Sequence, residues 1–239
     1  MSILQQIYSR ERASLAVLVD PDHVERQGTE SLLKHINAAK VDFLFVGGSH
    51  ISIGNIDKTV NKLKEGTHLP VILFPGSVLQ IADQADAMLF LSLISGRNAE
   101  YLIGQHVVAA PYLRKIAMET IPTGYMLIDG GKSTTASYMS NTSPLPKDKP
   151  MLAASTAMAG EMLGMKIIYA DAGSGAQYNI SPDMIRAIKA HIHIPLIVGG
   201  GICEKSVAEE VIRAGADVLV IGNEIERRPD FIKEINEIL

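Results

Sequence analysis

Eight short apolar runs recur along the chain, at residues 14–20, 42–49, 70–76, 87–94, 124–129, 166–172, 195–200 and 217–223. Each is rich in Val, Ile and Leu, too continuous for a strand with one wet face and too short for a typical helix. Such runs are expected to be parallel strands buried on both faces, and parallel strands need crossover connections. Helical spacing supplies them at 29–40, where Thr29 is placed to cap, and at 56–65, 151–163, 182–191 and 204–214. A last helix over 229–239, with Pro229 in its first turn, ends the series. Strand and helix alternating through 239 residues predict an α/β chain folded as one (β/α)8 TIM barrel, a single domain over 1–239. An open doubly wound sheet has the same periodicity and stands as the alternative.

One unit breaks the rhythm. Only residues 77–86 separate the third and fourth runs, too few for a crossover helix with two loops, so the barrel is read as modified, its third helix absent or reduced. The gap would expose Met88, Phe90 and Leu91, either to a long apolar ligand or beneath an irregular covering loop. In the 151–163 segment, Met158 with Met162 and Leu152 with Ala159 are expected to pack into the core.

Composition removes several classes of function. With 47% hydrophobic and 20% charged residues the chain has material for a full core. Its 22 basic residues against 26 acidic ones, without a Lys/Arg cluster, exclude nucleic acid as an expected partner. Cys203 is the only cysteine, so neither a disulfide framework nor a thiolate metal site is expected, and a reducing cytoplasm fits. No run is long enough for a membrane span, and no signal peptide is read at the N-terminus.

In a barrel the chemistry is expected at the C-terminal ends of the strands, and here those ends are polar and glycine-rich. Gly199-Gly200-Gly201 follows the seventh run and Gly222-Asn223 the eighth; backbone without side chains lets N–H groups converge on phosphate oxygens, so a substrate phosphate is expected there. Asp20 and Asp22 flank Pro21, and Ser49 ends the adjacent run, an oxygen set that suits Mg²⁺, although either Asp could equally cap its loop. Asp171 is placed to take a proton from a substrate hydroxyl, or simply to bind it, and Tyr169 shares its strand face. Gly131-Lys132-Ser133 lacks the earlier glycine of a P-loop; Lys132 remains a candidate anion contact or a solvated lysine. The histidines have no zinc-ligand spacing.

Together, Val19-Asp20-Pro21-Asp22, Val46-Gly47-Gly48-Ser49, Leu73-Phe74-Pro75-Gly76, Asp148-Lys149-Pro150, the stretch from Tyr169 to Gly175, that from Pro195 to Ile202, and Val220-Ile221-Gly222-Asn223 resemble the geranylgeranylglyceryl phosphate synthase family. The likeness covers nearly the whole chain and looks closest to the branch found in some archaea and in bacteria of the Bacteroidetes type. It implies a barrel whose third helix is replaced, and transfer of a polyprenyl group from its diphosphate to the 3-hydroxyl of sn-glycerol 1-phosphate, an ether-lipid step that uses Mg²⁺. It implies Asp20 and Ser49 at the Mg²⁺ and diphosphate site. Tyr169, Ala170, Asp171, Ala172, Gly173, Ser174, Gly175, Gly200, Gly201, Gly222 and Asn223 are implied to hold glycerol 1-phosphate, with Asp171 as base. Tyr101 is the candidate aromatic that limits prenyl length, and a homo-oligomer, dimer or hexamer, is implied as well.

Two positions depart from the family's pattern. Asp171 stands where many members have Glu, and Leu18 where others have Lys, which leaves a phosphate contact to come from elsewhere, Lys132 being the candidate. The competing readings are a phosphosugar isomerase or lyase on the same barrel, and a non-catalytic phosphate- or lipid-binding barrel.

Overall fold

The computed structural model describes residues 1–239. In chain order, α1 (Ile3–Tyr8) precedes β1 (Ser14–Val19), and α2 (Pro21–Gln27) with α3 (Glu30–Asn37) leads to β2 (Phe43–Val46). Then come α4 (Ile56–Gly66), β3 (Val71–Leu73) and β4 (Ala87–Leu93), followed by a π-helical turn (Glu100–Gly104) that runs into α5 (Gln105–Ile116). After β5 (Glu119–Leu127) lie α6 (Thr135–Ser140), α7 (Pro150–Met162), β6 (Ile167–Asp171), α8 (Pro182–Lys189) and β7 (Leu196–Gly199). The chain ends with α9 (Lys205–Arg213), β8 (Val218–Ile221), α10 (Asn223–Arg227) and α11 (Phe231–Asn236).

All eight strands are parallel, each pairs with its sequence neighbours, and β1 pairs with β8, so the sheet is a closed barrel rather than an open doubly wound one. Alternation along the strands divides the core in two. Phe43, Phe45, Ile72, Leu89, Ile121 and Ile197 fill the inside, and Ile3 and Ile7 of α1 join this inner cluster at the end opposite the strand C-termini. The α1 helix is fastened there by the Glu119 carboxylate, which accepts the N–H groups of Ile3 and Leu4. The residues between face outward and pack against the helical layer, among them Leu15, Val17, Leu44, Ile168 and Leu219.

No helix lies between β3 and β4, in agreement with the short link. Other boundaries moved for identifiable reasons. Helix α5 escaped the periodicity because Pro111 interrupts it and Val107 and Val108 put apolar side chains on its wet side. Strand β5 starts at Glu119, ahead of Pro122, a residue that weakens a strand signal; the Pro122 carbonyl still accepts from Lys166 N. Thr29 stands at the start of α3 without a side-chain capping bond, and the last helix begins at Phe231, after Pro229. The α7 prediction was right for Met158, which packs against the core, and wrong for Met162, Leu152 and Ala159, which are exposed; Ala153, Ala154, Ala157 and Gly160 are the buried residues. Small residues let this helix approach the barrel closely, since a β-carbon at Gly160 would lie 2.8 Å from Ile94 Cδ1 and 3.0 Å from Ile168 Cδ1.

Candidate active site

The C-terminal ends of the strands surround an open mouth, and most of the anticipated residues line it: Asp20, Ser49, Tyr169, Asp171, Ser174, Gly175, Gly200, Gly201, Gly222 and Asn223. Ala170, Ala172 and Gly173 do not. Ala170 and Ala172 are buried in the outer core, and the Ala172 N–H is engaged by the Gly199 carbonyl. Gly173 acts indirectly, donating its N–H to Asp171 Oδ1 at 2.7 Å. Ser174 donates to Asn223 Oδ1 at 3.2 Å, tying the loop after β6 to the first residue of α10. Gly200 cannot be replaced without strain: its φ is +84°, and a β-carbon would lie 2.7 Å from Asp171 Oδ1.

Asp171 is buried at the end of β6, and its second oxygen, Oδ2, accepts the Tyr125 hydroxyl at 2.7 Å. Burial raises its pKa above the ordinary aspartate value, and the Tyr125 and Gly173 hydrogen bonds pull partly the other way. A carboxylate made more basic in this way is better suited to accepting a proton. Tyr125 pairs in register with Tyr169, and Phe74 packs on both, stacked on Tyr169 at 4.9 Å and edge-on to Tyr125 at 5.9 Å. The hydroxyl ends of both tyrosines are held well above the ordinary value, first by burial and then by the charge of Asp171, so both remain neutral donors. Sequence reasoning did not select Tyr125 or Phe74. The inward alternation of β5 carried the signal for the first, and the second sat unused in Leu73-Phe74-Pro75-Gly76.

Asp20 and Asp22 separate into two roles. Asp22 is buried and accepts three backbone N–H groups, from Ser52 at 3.0 Å, Ile53 at 3.0 Å and Gly54 at 2.7 Å. Burial alone would raise its pKa, but these donors and Arg26 outweigh it and hold the carboxyl low. It organises the loop after β2 and is not a mouth residue. Asp20 caps α2, with Oδ1 accepting from Asp22 N at 2.8 Å, while Oδ2 is aimed at the turn that carries Ser49, 3.9 Å from where a Gly48 β-carbon would be. A second carboxylate, unanticipated, stands behind it: Glu226 Oε1 accepts the Asp20 N–H at 3.0 Å. Burial, aided by the charge of Asp20 and opposed by that hydrogen bond, pushes Glu226 up to about 7. No three His, Cys, Asp or Glu side chains cluster into a metal cage. Asp20, whose Oδ2 accepts no hydrogen bond from the protein, and Ser49 line the same mouth, an oxygen set that fits Mg²⁺, which takes few protein ligands and completes its shell with water and phosphate.

Cations are sparse at the mouth. Leu18 lines it where a lysine was expected, and Lys132 reaches the loop after β6, its Nζ 3.5 Å from where a Gly175 β-carbon would be.

A second cavity opens where helix three is missing. It is an apolar groove along the outer face of β4, floored by Met88 and Phe90, with Val78 on one wall and Tyr101, His106 and Ala109 on the other. His106 stands edge-on to Phe90, and burial pushes its pKa below the usual histidine value, leaving a neutral wall. Gly48, Ser49 and Phe74 belong to both the mouth and the groove, so the two cavities join beside the carboxylates.

A model of the PcrB family matches residues 6–239. The chain belongs to the PcrB family. This PcrB-family chain is 48% identical to the geranylgeranylglyceryl phosphate synthase of Spirosoma linguale, over 100% of its own length and 96% of the relative's. The archaeal synthase of Korarchaeum cryptofilum is 35% identical, with 100% and 98% covered. Among solved structures, the synthase of Thermoplasma acidophilum in complex with its substrate sn-glycerol-1-phosphate superposes with a TM-score of 0.89 at 32% identity, covering 100% of this chain and 97% of that one. An archaeal fructose 1,6-bisphosphate aldolase, with a TM-score of 0.62 and 16% identity, shares the PcrB barrel fold alone.

Proposed function

We propose that the protein transfers a polyprenyl group, geranylgeranyl in the simplest case, from its diphosphate to the 3-hydroxyl of sn-glycerol 1-phosphate. The observation that carries this reading is the junction of a polar mouth with an apolar groove at Gly48, Ser49 and Phe74, beside Asp20 and a short way from Asp171. An isomerase or lyase of phosphosugars would use the mouth and leave the groove without a role.

The phosphate of the acceptor is held by backbone N–H groups at Gly175, Gly200, Gly201 and the start of α10, with Lys132 closing over it in place of the lysine absent at position 18. Tyr169 presents its hydroxyl end to the glycerol, and Asp171, oriented by Tyr125 and Gly173, accepts the proton of the attacking hydroxyl. Asp20 and Ser49 would hold Mg²⁺, which supplies charge neutralisation for the departing diphosphate. Phe74 covers the junction and excludes water from the allylic carbon, while the groove binds the tail at about 0.8 kcal/mol per buried methylene. Remote binding of this kind positions the reacting atoms, which is most of the catalysis required.

The same reading places the reaction in the cytoplasm. No helix is long and apolar enough to cross a membrane, and Cys203 is a free exposed thiol. It also includes self-association, supported by the exposed Ile103, Val107 and Val108 at and before α5 and by Met151 and Leu152 on α7. The test is incubation with labelled glycerol 1-phosphate, geranylgeranyl diphosphate and Mg²⁺. Ether product is expected; binding of both substrates without product would leave only a binding barrel.

A further inference from the structure

Gln80 lies in the irregular 77–86 link, buried, and lines neither the mouth nor the groove. Its amide joins two turns. Nε2 donates to the Gly48 carbonyl at 2.8 Å, while Oε1 accepts the Gly76 N–H at 3.0 Å and the Gly48 N–H at 3.4 Å. Only this orientation works, since a reversed amide would set its NH2 against two N–H groups and its oxygen against a carbonyl. The turns themselves touch: a β-carbon at Gly76 would collide with the Gly48 carbonyl and lie 2.9 Å from Ser49 Cα. Glycine permits that approach without fixing it. From Gly48 to Ile51 the only hydrogen bonds made are those to the Gln80 amide; the nearest on either side are Gly47 N to the Val19 carbonyl and Ser52 N to Asp22.

We infer that Gln80 is a positioning residue for the diphosphate half of the site, holding the Gly48–Ser49 turn in register with Asp20, an inference that rests on the prenyl-transfer reading. Gly48 is the point of contact, because its β-carbon position is 3.9 Å from Asp20 Oδ2 and its neighbour is Ser49. Without the amide, this turn keeps no tie of its own between strand β2 and the loop that Asp22 organises. The acceptor half is held by other bonds, from Gly173 to Asp171 and from Ser174 to Asn223. Gln80 therefore acts on one substrate and leaves the other alone. The link that stands in for the third helix has two tasks, Ser77 and Val78 lining the groove and Gln80 fixing the turn at its head.

Calorimetry on the full-length protein tests this with Mn²⁺ plus inorganic pyrophosphate as one probe and glycerol 1-phosphate as the other. Gln80→Met keeps the length of the side chain and removes its hydrogen bonds. Its affinity for Mn²⁺-pyrophosphate should fall about tenfold, the scale of a buried polar group left unpaired, and KM for geranylgeranyl diphosphate should rise in parallel. Glycerol 1-phosphate binding should stay within about twofold of wild type, as for a site with no shared partner. Gln80→Glu keeps an acceptor for the two N–H groups but sets its second oxygen against the Gly48 carbonyl, so it should weaken the same probe. Because Gln80 acts through the turn, adding Gln80→Met to Ser49→Ala should weaken Mn²⁺-pyrophosphate by no more than about a further twofold. Unchanged Mn²⁺-pyrophosphate affinity in folded Gln80→Met overturns the inference, as does an equal loss of glycerol 1-phosphate binding or full additivity with Ser49→Ala. Were Gln80→Met to fail to fold, wild-type affinity in Gln80→Glu would overturn it in the same way. Wild-type protein that forms no prenyl ether refutes the prenyl-transfer reading instead, a failure seen separately because the calorimetry requires no turnover.

Discussion

Removing one oxygen atom, by Tyr125→Phe, tests the central carboxylate most directly. The phenylalanine ring keeps the contacts with Phe74 and Tyr169, so packing is nearly constant, and the loss is the 2.7 Å hydrogen bond to Asp171 Oδ2. A hydrogen bond to an ionised partner contributes roughly 1.5–3 kcal/mol. That amount should appear as a fall in melting temperature of roughly 3–12 °C for a domain of this size. Its pH dependence follows from linkage. Burial already gives Asp171 a folded-state pKa above its unfolded value, so its contribution to stability is fully present below the unfolded pKa and is lost as pH rises through the folded one. The Tyr125 bond favours the ionised form, and without it the folded pKa rises further. The stability difference between wild type and variant must therefore grow with pH, and the acid limb of the rate profile must move to higher pH. Thermal unfolding from pH 4 to 8 and a pH series of kcat/KM measure both. Equal destabilisation at every pH, with an unmoved acid limb, would refute the assignment of Tyr125 as the donor that keeps Asp171 ionised.

Asp171→Asn should lower kcat about 10²–10⁴-fold while changing substrate KM far less, and it should raise the melting temperature at neutral pH, because a buried charge is removed; steady-state kinetics beside thermal unfolding read both. Asp20→Ala should abolish the response of the rate to Mg²⁺ and weaken Mn²⁺ binding measured by calorimetry, with a stability cost of about 1 kcal/mol for the lost α2 cap. Gly200→Ala should destabilise by more than about 1 kcal/mol, since alanine at a φ of +84° is strained, and should raise KM for glycerol 1-phosphate more than for the prenyl diphosphate. Lys132→Ala should raise the same KM, and that increase should shrink as salt is added, in the manner of an exposed charge contact.

The barrel was legible because strands buried on both faces leave unbroken apolar runs, and its missing helix because ten residues cannot cross from one parallel strand to the next. Closure was not legible, since it depends on β1 meeting β8. Of the site, the glycines and Asp20, Ser49 and Asp171 announced themselves by position at strand ends. What stayed hidden depended on depth and direction. Tyr125 acts from inside the barrel two residues short of the end of β5, and Glu226 approaches Asp20 from α10, 206 residues away in sequence. Asp20 and Asp22 are alike in composition and spacing, and only the backbone shows that one embraces three N–H groups while the other turns an oxygen outward. Ala170 and Ala172 were drawn in with their neighbours although strand alternation turns them to the outer core.

The absent helix leaves the groove open along the flank of the barrel, a trench and not a tunnel. A tunnel would oblige each tail to thread in end-first and the amphiphilic product to back out through the mouth. A trench lets the tail be laid down and lifted off sideways along its whole length. Head and tail of the product can then part from the protein through different faces, and turnover need not wait for the slowest segment of a long chain to retrace its path.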